Sequence, residues 1–349
     1  MNYLLLIITF CISILFIYVF LKFTSKLGFI DIPNERSSHK NITPRGAGIA
    51  FTAAALLSIL IIEPTHFFEY IYVYLSIILI FLIGIIDDKI EVSPKLKFLF
   101  IFFATILLYQ NDIKITYLGD YFGYDLYLNA WLVFPFTFFA ITGFTNALNL
   151  IDGLDGLAGS ISIIILSAFL AIGLQHNDTF IITLASSFIA TLLGFLLFNW
   201  NPAKIFMGDS GSLVLGFVIS ILSIKTLEYA TPASVLFMMA IPLLDTFIVM
   251  TRRIQRGMSP FVADKNHLHH FLYNLKMDVK FTVILLIYIQ LAFSIIGYQI
   301  SDKNNAISLF LIGIMFFIFL NLFDQRLKRR KKKKKSNKRS NKRKKLKEW

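Results

Sequence analysis

A single cysteine, Cys11, occurs in the 349 residues, which excludes an intramolecular disulfide framework and any zinc site built from cysteines. Charge is also scarce. Asp, Glu, Lys and Arg make up 16% of the chain, where a water-soluble domain carries about 25%. That shortfall excludes an ordinary soluble globular enzyme. What is plentiful is apolar: 56% of residues, 37 Phe and a mean hydropathy of +0.70. A disordered chain is excluded on the same grounds. The composition is that of a polytopic helical membrane protein.

The net charge of +13 is local rather than general. Residues Arg326 to Trp349 hold 16 Lys and Arg against one acid, Glu348, so the first 325 residues carry a net −2. Runs of like charge of this kind are usually solvated. The expected organisation is a transmembrane domain over 1–325 with polar loops, followed by a basic tail over 326–349.

A bilayer crossing needs about 20 apolar residues, because a helix rises 1.5 Å per residue through about 30 Å of hydrocarbon. Apolar runs at 3–24, 46–62, 69–86, 96–110, 128–148, 157–174, 179–198, 211–228, 232–250, 281–298 and 305–323 predict about eleven transmembrane helices and an all-α fold. The runs 46–62, 96–110 and 157–174 are the short ones. The first run is read as a helix rather than a cleaved leader, since no Lys or Arg precedes it and no small-residue cleavage site follows. Of the Lys and Arg residues in the connections and tail, 31 fall on odd-numbered connections and the C-terminus, and 3 (Lys114, Lys225, Lys303) on even ones. The positive-inside rule then places the N-terminus outside and the C-terminus in the cytoplasm.

Nearly every unusual polar cluster lies in an odd connection. Asp87 and Asp88 close the apolar run ending Gly84-Ile85-Ile86. An acid at the centre of a spanning helix costs about 2.5–3.5 kcal/mol, so a pair at its end sits where lipid meets water. Adjacent carboxylates repel, which raises one toward use as a base; a solvated helix terminus is the plain alternative. Asn146, Asn149, Asp152 and Asp155 fall within ten residues, with Gly153 and Gly156 between them. Oxygen-bearing side chains at that density suit a hard cation, although the spacing is not that of an EF-hand. A polar interhelical turn has the same composition.

Asn199 to Ser212 combines Lys204, Phe206, Asp209 and small residues ahead of a helix. Free amides at a helix start suit phosphate oxygens, though no Walker pattern is present and Asp209 also suits an ordinary cap. The last cluster runs from Asp245 through Arg252, Arg253 and Arg256 to His267, His269 and His270. No HExxH pattern supports zinc, and arginine forks match phosphate oxygens, so an anion pocket is the favoured reading over a metal site or a structural turn. The strip from Asp31 to Arg45 adds further cations on the same side. Acids for a divalent metal beside cations for phosphates imply nucleotide or pyrophosphate chemistry at a membrane surface.

These segments, in this order, resemble the polyprenyl-phosphate N-acetylhexosamine-1-phosphate transferase family, glycosyltransferase family 4. The resemblance is carried by DDKIEVSPKLKF, NALNLIDGLDGLAGS, NPAKIFMGDSGS and SPFVADKNHLHH. The HLHH form is similar to the WecA-type bacterial branch. The resemblance implies transfer of N-acetylhexosamine-1-phosphate from a UDP-N-acetylhexosamine to undecaprenyl phosphate at the cytoplasmic face of the bacterial inner membrane, releasing UMP. It also implies Mg2+, with Mn2+ as a possible substitute. Asp87, with Asp88 beside it, would contact or deprotonate the lipid phosphate, and Asp209 with Asn149 would bind the metal. Asp152 and Asp155 would organise the nucleotide and Phe206 would stack on uracil. Lys95 would support the acceptor, while His267, His269 and His270, with Arg252 and Arg256, would grip pyrophosphate or sugar. The implied partners are the two substrates and the lipid bilayer. A homodimer is a possible assembly, and no specific nucleic acid is implied. The rival class, a transporter or flippase for an anionic polyprenyl lipid, should place polar groups near mid-membrane; the sequence shows neither an intramembrane acid chain nor an internal repeat.

Overall fold

The computed structural model describes residues 3–31, 42–255, 257–259, 277–302 and 308–321. Arg256, His267, His269, His270 and the tail over 326–349 lie outside the described residues.

Helix occupies the apolar runs as far as they are described, but among the described residues seven helices, or eight with a bent pair, are long and apolar enough to cross a membrane, where the sequence suggests about eleven. The long helices are α1 (Tyr3–Leu27), α4 (Ile71–Ile90), α6 (Ala130–Ile151), α7 (Leu157–His176), α8 (Thr179–Asn199), α9 (Asp209–Thr226) and α12 (Val279–Gln299). These seven are long and apolar enough to cross a membrane. The helices α10 (Pro232–Met238) and α11 (Ala240–Gln255) form a pair bent by 89°, which makes an eighth if counted as one broken span. Shorter helices are α2 (Ala47–Ile62), α3 (Pro64–Glu69), α5 (Pro94–Tyr109) and α13 (Ser308–Asn321). The protein is a polytopic membrane protein, and α7, read from sequence as a short run, is a full 20-residue helix.

Two small sheets depart from an all-α description. Strand β1 (Ile30–Asp31) pairs antiparallel with β2 (Thr43–Pro44), and β3 (Tyr117–Tyr121) with β4 (Tyr124–Tyr127). The second lies in the connection between α5 and α6. Its tip, Phe122-Gly123, has positive φ at both residues, the backbone that matches strand twist in a tight hairpin.

Helix α9 is the axis of the molecule. Of its spanning window 89% is buried, against 22% for α1 at the periphery, and it packs on α2, α4, α6, α7 and α8. Such burial explains why its faces are apolar all round rather than striped. Its N-terminus meets the C-terminal ends of α4 and α6 and the N-terminal ends of α2 and α5, and the loop before it is tied to the facing ends of α7 and α8, so one pole of the bundle gathers these chain ends.

Candidate active site

Two pairs of loops form the polar pole, the first joined by a parallel bridge between Arg45 and Phe206. The stretch Pro44–Gly48 is laced to Phe206–Met207. Phe206 N–H donates to Pro44 O (2.8 Å), Gly46 and Ala47 donate to Phe206 O (3.1 and 3.0 Å), and Gly48 donates to Met207 O (2.9 Å). The backbone of Phe206 is thus committed to this ladder, and its ring is left half-buried. The second pair joins the turn after α6 to the turn after α8. The buried Asn199 side chain accepts from Gly156 N–H and donates to Ile205 O, each at 2.8 Å. Asp155 Oδ2 accepts from Asn201 Nδ2 (2.8 Å) and Ala203 N–H (3.0 Å). In this structure Asp155 braces a loop.

Asp88 caps α9. Its carboxylate, fully buried, accepts from the backbone N–H groups of Asp209 (2.7 Å) and Ser210 (3.1 Å), two of the donors that a helix start leaves unpaired. The approach needs Gly208, whose φ is +77° and whose place would put a Cβ 2.5 Å from Asp88 Oδ2. Gly84 serves the same junction one turn back on α4: a Cβ there would lie 2.6 Å from Ser210 Cα.

Asp87 points elsewhere, because successive helical residues are about 100° apart. Its Oδ1 accepts from Val92 N–H at 2.6 Å and its Oδ2 from the Lys97 ammonium. The same ammonium donates to Asp209 Oδ2 at 2.7 Å. On the other side of Asp209, the Arg45 guanidinium reaches Oδ1 through Nη2 at 2.9 Å and Asp88 Oδ1 through Nε at 3.1 Å. Asp87, Lys97, Asp209, Arg45 and Asp88 form one chain of alternating charge.

Asn149, at the end of α6, donates from Nδ2 to Ser212 Oγ in the first turn of α9 at 2.8 Å. Asp152 is the C-cap residue of α6, and its carboxylate accepts no hydrogen bond among the described residues. Burial pushes it up to about 7, with the charge of Asp209 adding to the shift and that of Arg45 opposing it. Five carboxylates therefore face two cations at this pole. A surplus of hard oxygen donors fits a divalent cation. No group of three or more His, Cys, Asp or Glu is arranged as a metal cage among the described residues. The donor set suits magnesium, which takes one or two protein carboxylates and completes its shell with water and substrate phosphate.

The structure brings Asp87, Asp88, Asn149, Asp152, Asp155, Phe206 and Asp209 to one pole. Lys95 is exposed on α5, and it is Lys97 that stands between the carboxylates. Arg252 is buried on α11. The residues that sequence reasoning passed over are Lys97, Arg45 as an ion-pair partner, and Asn199. Lys97 lay inside a quoted motif, and Arg45 and Asn199 at the ends of stretches singled out above, but only packing distinguishes them from their neighbours.

Residues 70–227 match glycosyl transferase family 4. The chain is similar to the probable undecaprenyl-phosphate N-acetylglucosaminyl 1-phosphate transferase of Bacillus subtilis (strain 168), 32% identical over 318 residues and covering 89% of each chain. It is also 31% identical over 288 residues to the undecaprenyl-phosphate alpha-N-acetylglucosaminyl 1-phosphate transferase of Escherichia coli (strain K12), covering 76% of this chain and 75% of the relative. The chain belongs to glycosyl transferase family 4. Within it, these relatives mark the WecA-type branch of polyprenyl-phosphate N-acetylhexosamine-1-phosphate transferases. The stretch matched by family 4 begins at the N-cap of α4 and ends one residue beyond α9. It contains every acid of the pole together with Lys97, while Arg45 and α11 lie outside it.

Proposed function

We propose that the protein transfers N-acetylhexosamine-1-phosphate from a UDP-N-acetylhexosamine to undecaprenyl phosphate, giving the lipid-linked pyrophosphoryl sugar and UMP. The reaction would run on the cytoplasmic face of the bacterial inner membrane and begin a cell-envelope glycan. The names of the relatives favour UDP-N-acetylglucosamine as donor. One observation carries the reading: Asp87 and Asp209, from distant parts of the chain, share the Lys97 ammonium at a pole where an apolar bundle meets polar loops.

In the reaction a phosphate oxygen of the acceptor forms a bond to the sugar-bearing phosphorus, and the bridging P–O bond to UMP breaks. Both reactants are anions, so the work of the protein is positioning and charge neutralisation. Asp209, Asp152 and Asn149 would hold magnesium, which when bound offsets the diphosphate charge and polarises its oxygens. Asp87, near the C-terminal end of α4, would accept a proton from the acceptor phosphate, and Lys97 would keep its carboxylate aimed. Arg45 fixes Asp209 from the opposite side. Asp155 and Asn199 brace the loops that would enclose the nucleotide, with Phe206 beside them as the base-stacking ring.

The test is UMP release by purified protein given magnesium, undecaprenyl phosphate and a panel of UDP-sugars. Turnover with an N-acetylhexosamine donor is expected; no UMP from any donor would refute the reading. Transport of a labelled polyprenyl phosphate without UMP release would favour the flippase class.

A further inference from the structure

The elbow between α10 and α11 turns the chain by 89° inside an apolar bundle. A helix broken there exposes backbone groups that water does not reach, so partners must come from the protein. Met239 N–H still closes α10 on Val235 O, and Pro242 brings no N–H to the start of α11. At the bend, one side chain meets both the Met238 carbonyl and the Ile241 amide. Gln290, fully buried near the middle of α12, accepts from Ile241 N–H at 3.0 Å and donates to Met238 O at 2.6 Å. Its amide also donates to Ser294 Oγ at 2.9 Å, and that hydroxyl in turn donates to Met238 O at 3.4 Å. A primary amide is suited to the task because it donates and accepts at once without charge.

We infer that Gln290 is a positioning residue that sets the angle of this elbow and, through α11, the placement of the site's basic end. Helix α11 packs on α6, whose far end carries Asn149 and Asp152. Its last turn bears Arg252 and Arg253, both buried, and the chain then continues into the stretch holding His267, His269 and His270. The hydrogen bonds of Gln290 run to the elbow and to Ser294, so it acts through α11. The catalytic consequence rests on the function proposed above; the geometric one does not.

The experiment combines a distance with a rate. Spin labels at Ile254→Cys on α11 and Tyr288→Cys on α12, both exposed positions, in a Cys11→Ser background report the placement of α11 by pulsed electron resonance. The full chain should give one narrow distance population. Gln290→Met, of similar size but without donor or acceptor, should displace or broaden it and lower kcat roughly tenfold or more, because small misplacements far from the chemistry are costly. Gln290→Glu, neutral in apolar surroundings and still one donor and one acceptor, should restore both readouts. Should Gln290→Met not survive extraction, Gln290→Asn, one methylene too short to bridge both groups, takes its place. An unchanged distance distribution in the methionine or asparagine variant overturns the inference, as does failure of the glutamate to rescue. A displaced α11 with unchanged turnover overturns its catalytic half. Wild-type protein that releases no UMP would remove the functional reading, while the distance result would still decide the role of Gln290 at the elbow.

Discussion

Lys97 donates to Oδ2 of Asp209 at 2.7 Å, joining the first turn of α5 to the first residue of α9 across 112 positions of chain. Because the same ammonium also bonds Asp87, removing it leaves two carboxylates facing each other. Lys97→Met is expected to lower kcat by about 10²–10³-fold, the usual loss when one preorganised electrostatic group is removed. Lys95→Ala, at an exposed position, should stay within about twofold of wild type. Initial rates of UMP release for the two variants settle the comparison.

The adjacent acids should separate by phenotype. Asp88→Ala removes the cap of α9 and leaves Arg45 with Asp209 alone, a loss of about 1–2 kcal/mol for a missing cap, visible as a lower melting temperature in detergent. Asp88→Asn, still able to cap, should recover part of it. Asp87→Asn should melt near wild type yet turn over about 10²–10⁴-fold more slowly, the range for loss of a general base.

Asp152 predicts opposite pH trends for stability and for activity. Its folded carboxyl keeps a proton up to about 7, whereas the unfolded one loses it near 4. The folded state binds the extra proton across that window, so this group costs stability progressively as pH rises from about 4 to 7 and most above it. Metal and donor binding need the ionised form, so kcat/KM should climb between about pH 6 and 8. Asp152→Asn should flatten the stability trend in thermal melts while impairing donor binding at every pH.

Chelation should stop turnover in the wild type, and magnesium should restore it, with manganese as a partial substitute. Asp209→Asn should need far more magnesium for a much smaller rate while its melting temperature without metal changes little. A magnesium titration of both proteins reads the difference directly.

Deleting 328–349 should leave detergent-phase activity intact, because every acid and cation described at the pole lies before α12. A tenfold loss on truncation would show that the basic tail takes part in the reaction.

Much of the architecture was legible because the bilayer imposes it. A stretch of about 20 apolar residues has few alternatives to a helix when its backbone must satisfy itself, and helices occupy the described parts of those runs accordingly. The polar motifs were legible as a group for the same reason, since charge collects where the apolar runs end. The β3–β4 hairpin was not, because its strands are too short to show a period of two. Nor was the 89° elbow, since an apolar run reads the same whether its helix is straight or broken.

Composition and the order of motifs were enough to determine a polytopic membrane protein with acids and amides grouped in its odd connections. Helix phase and packing decided the rest. Lys95 and Lys97 lie about 200° apart around α5, and α5 is apolar on several faces, so nothing local says which lysine turns inward. Asp87 and Asp88 are likewise one residue apart and serve different partners, one a lysine and the other a helix end. Those assignments depend on where α9 docks between α2 and α4, through glycines at close approach, and contacts between segments so far apart in the chain arise only once the bundle has closed.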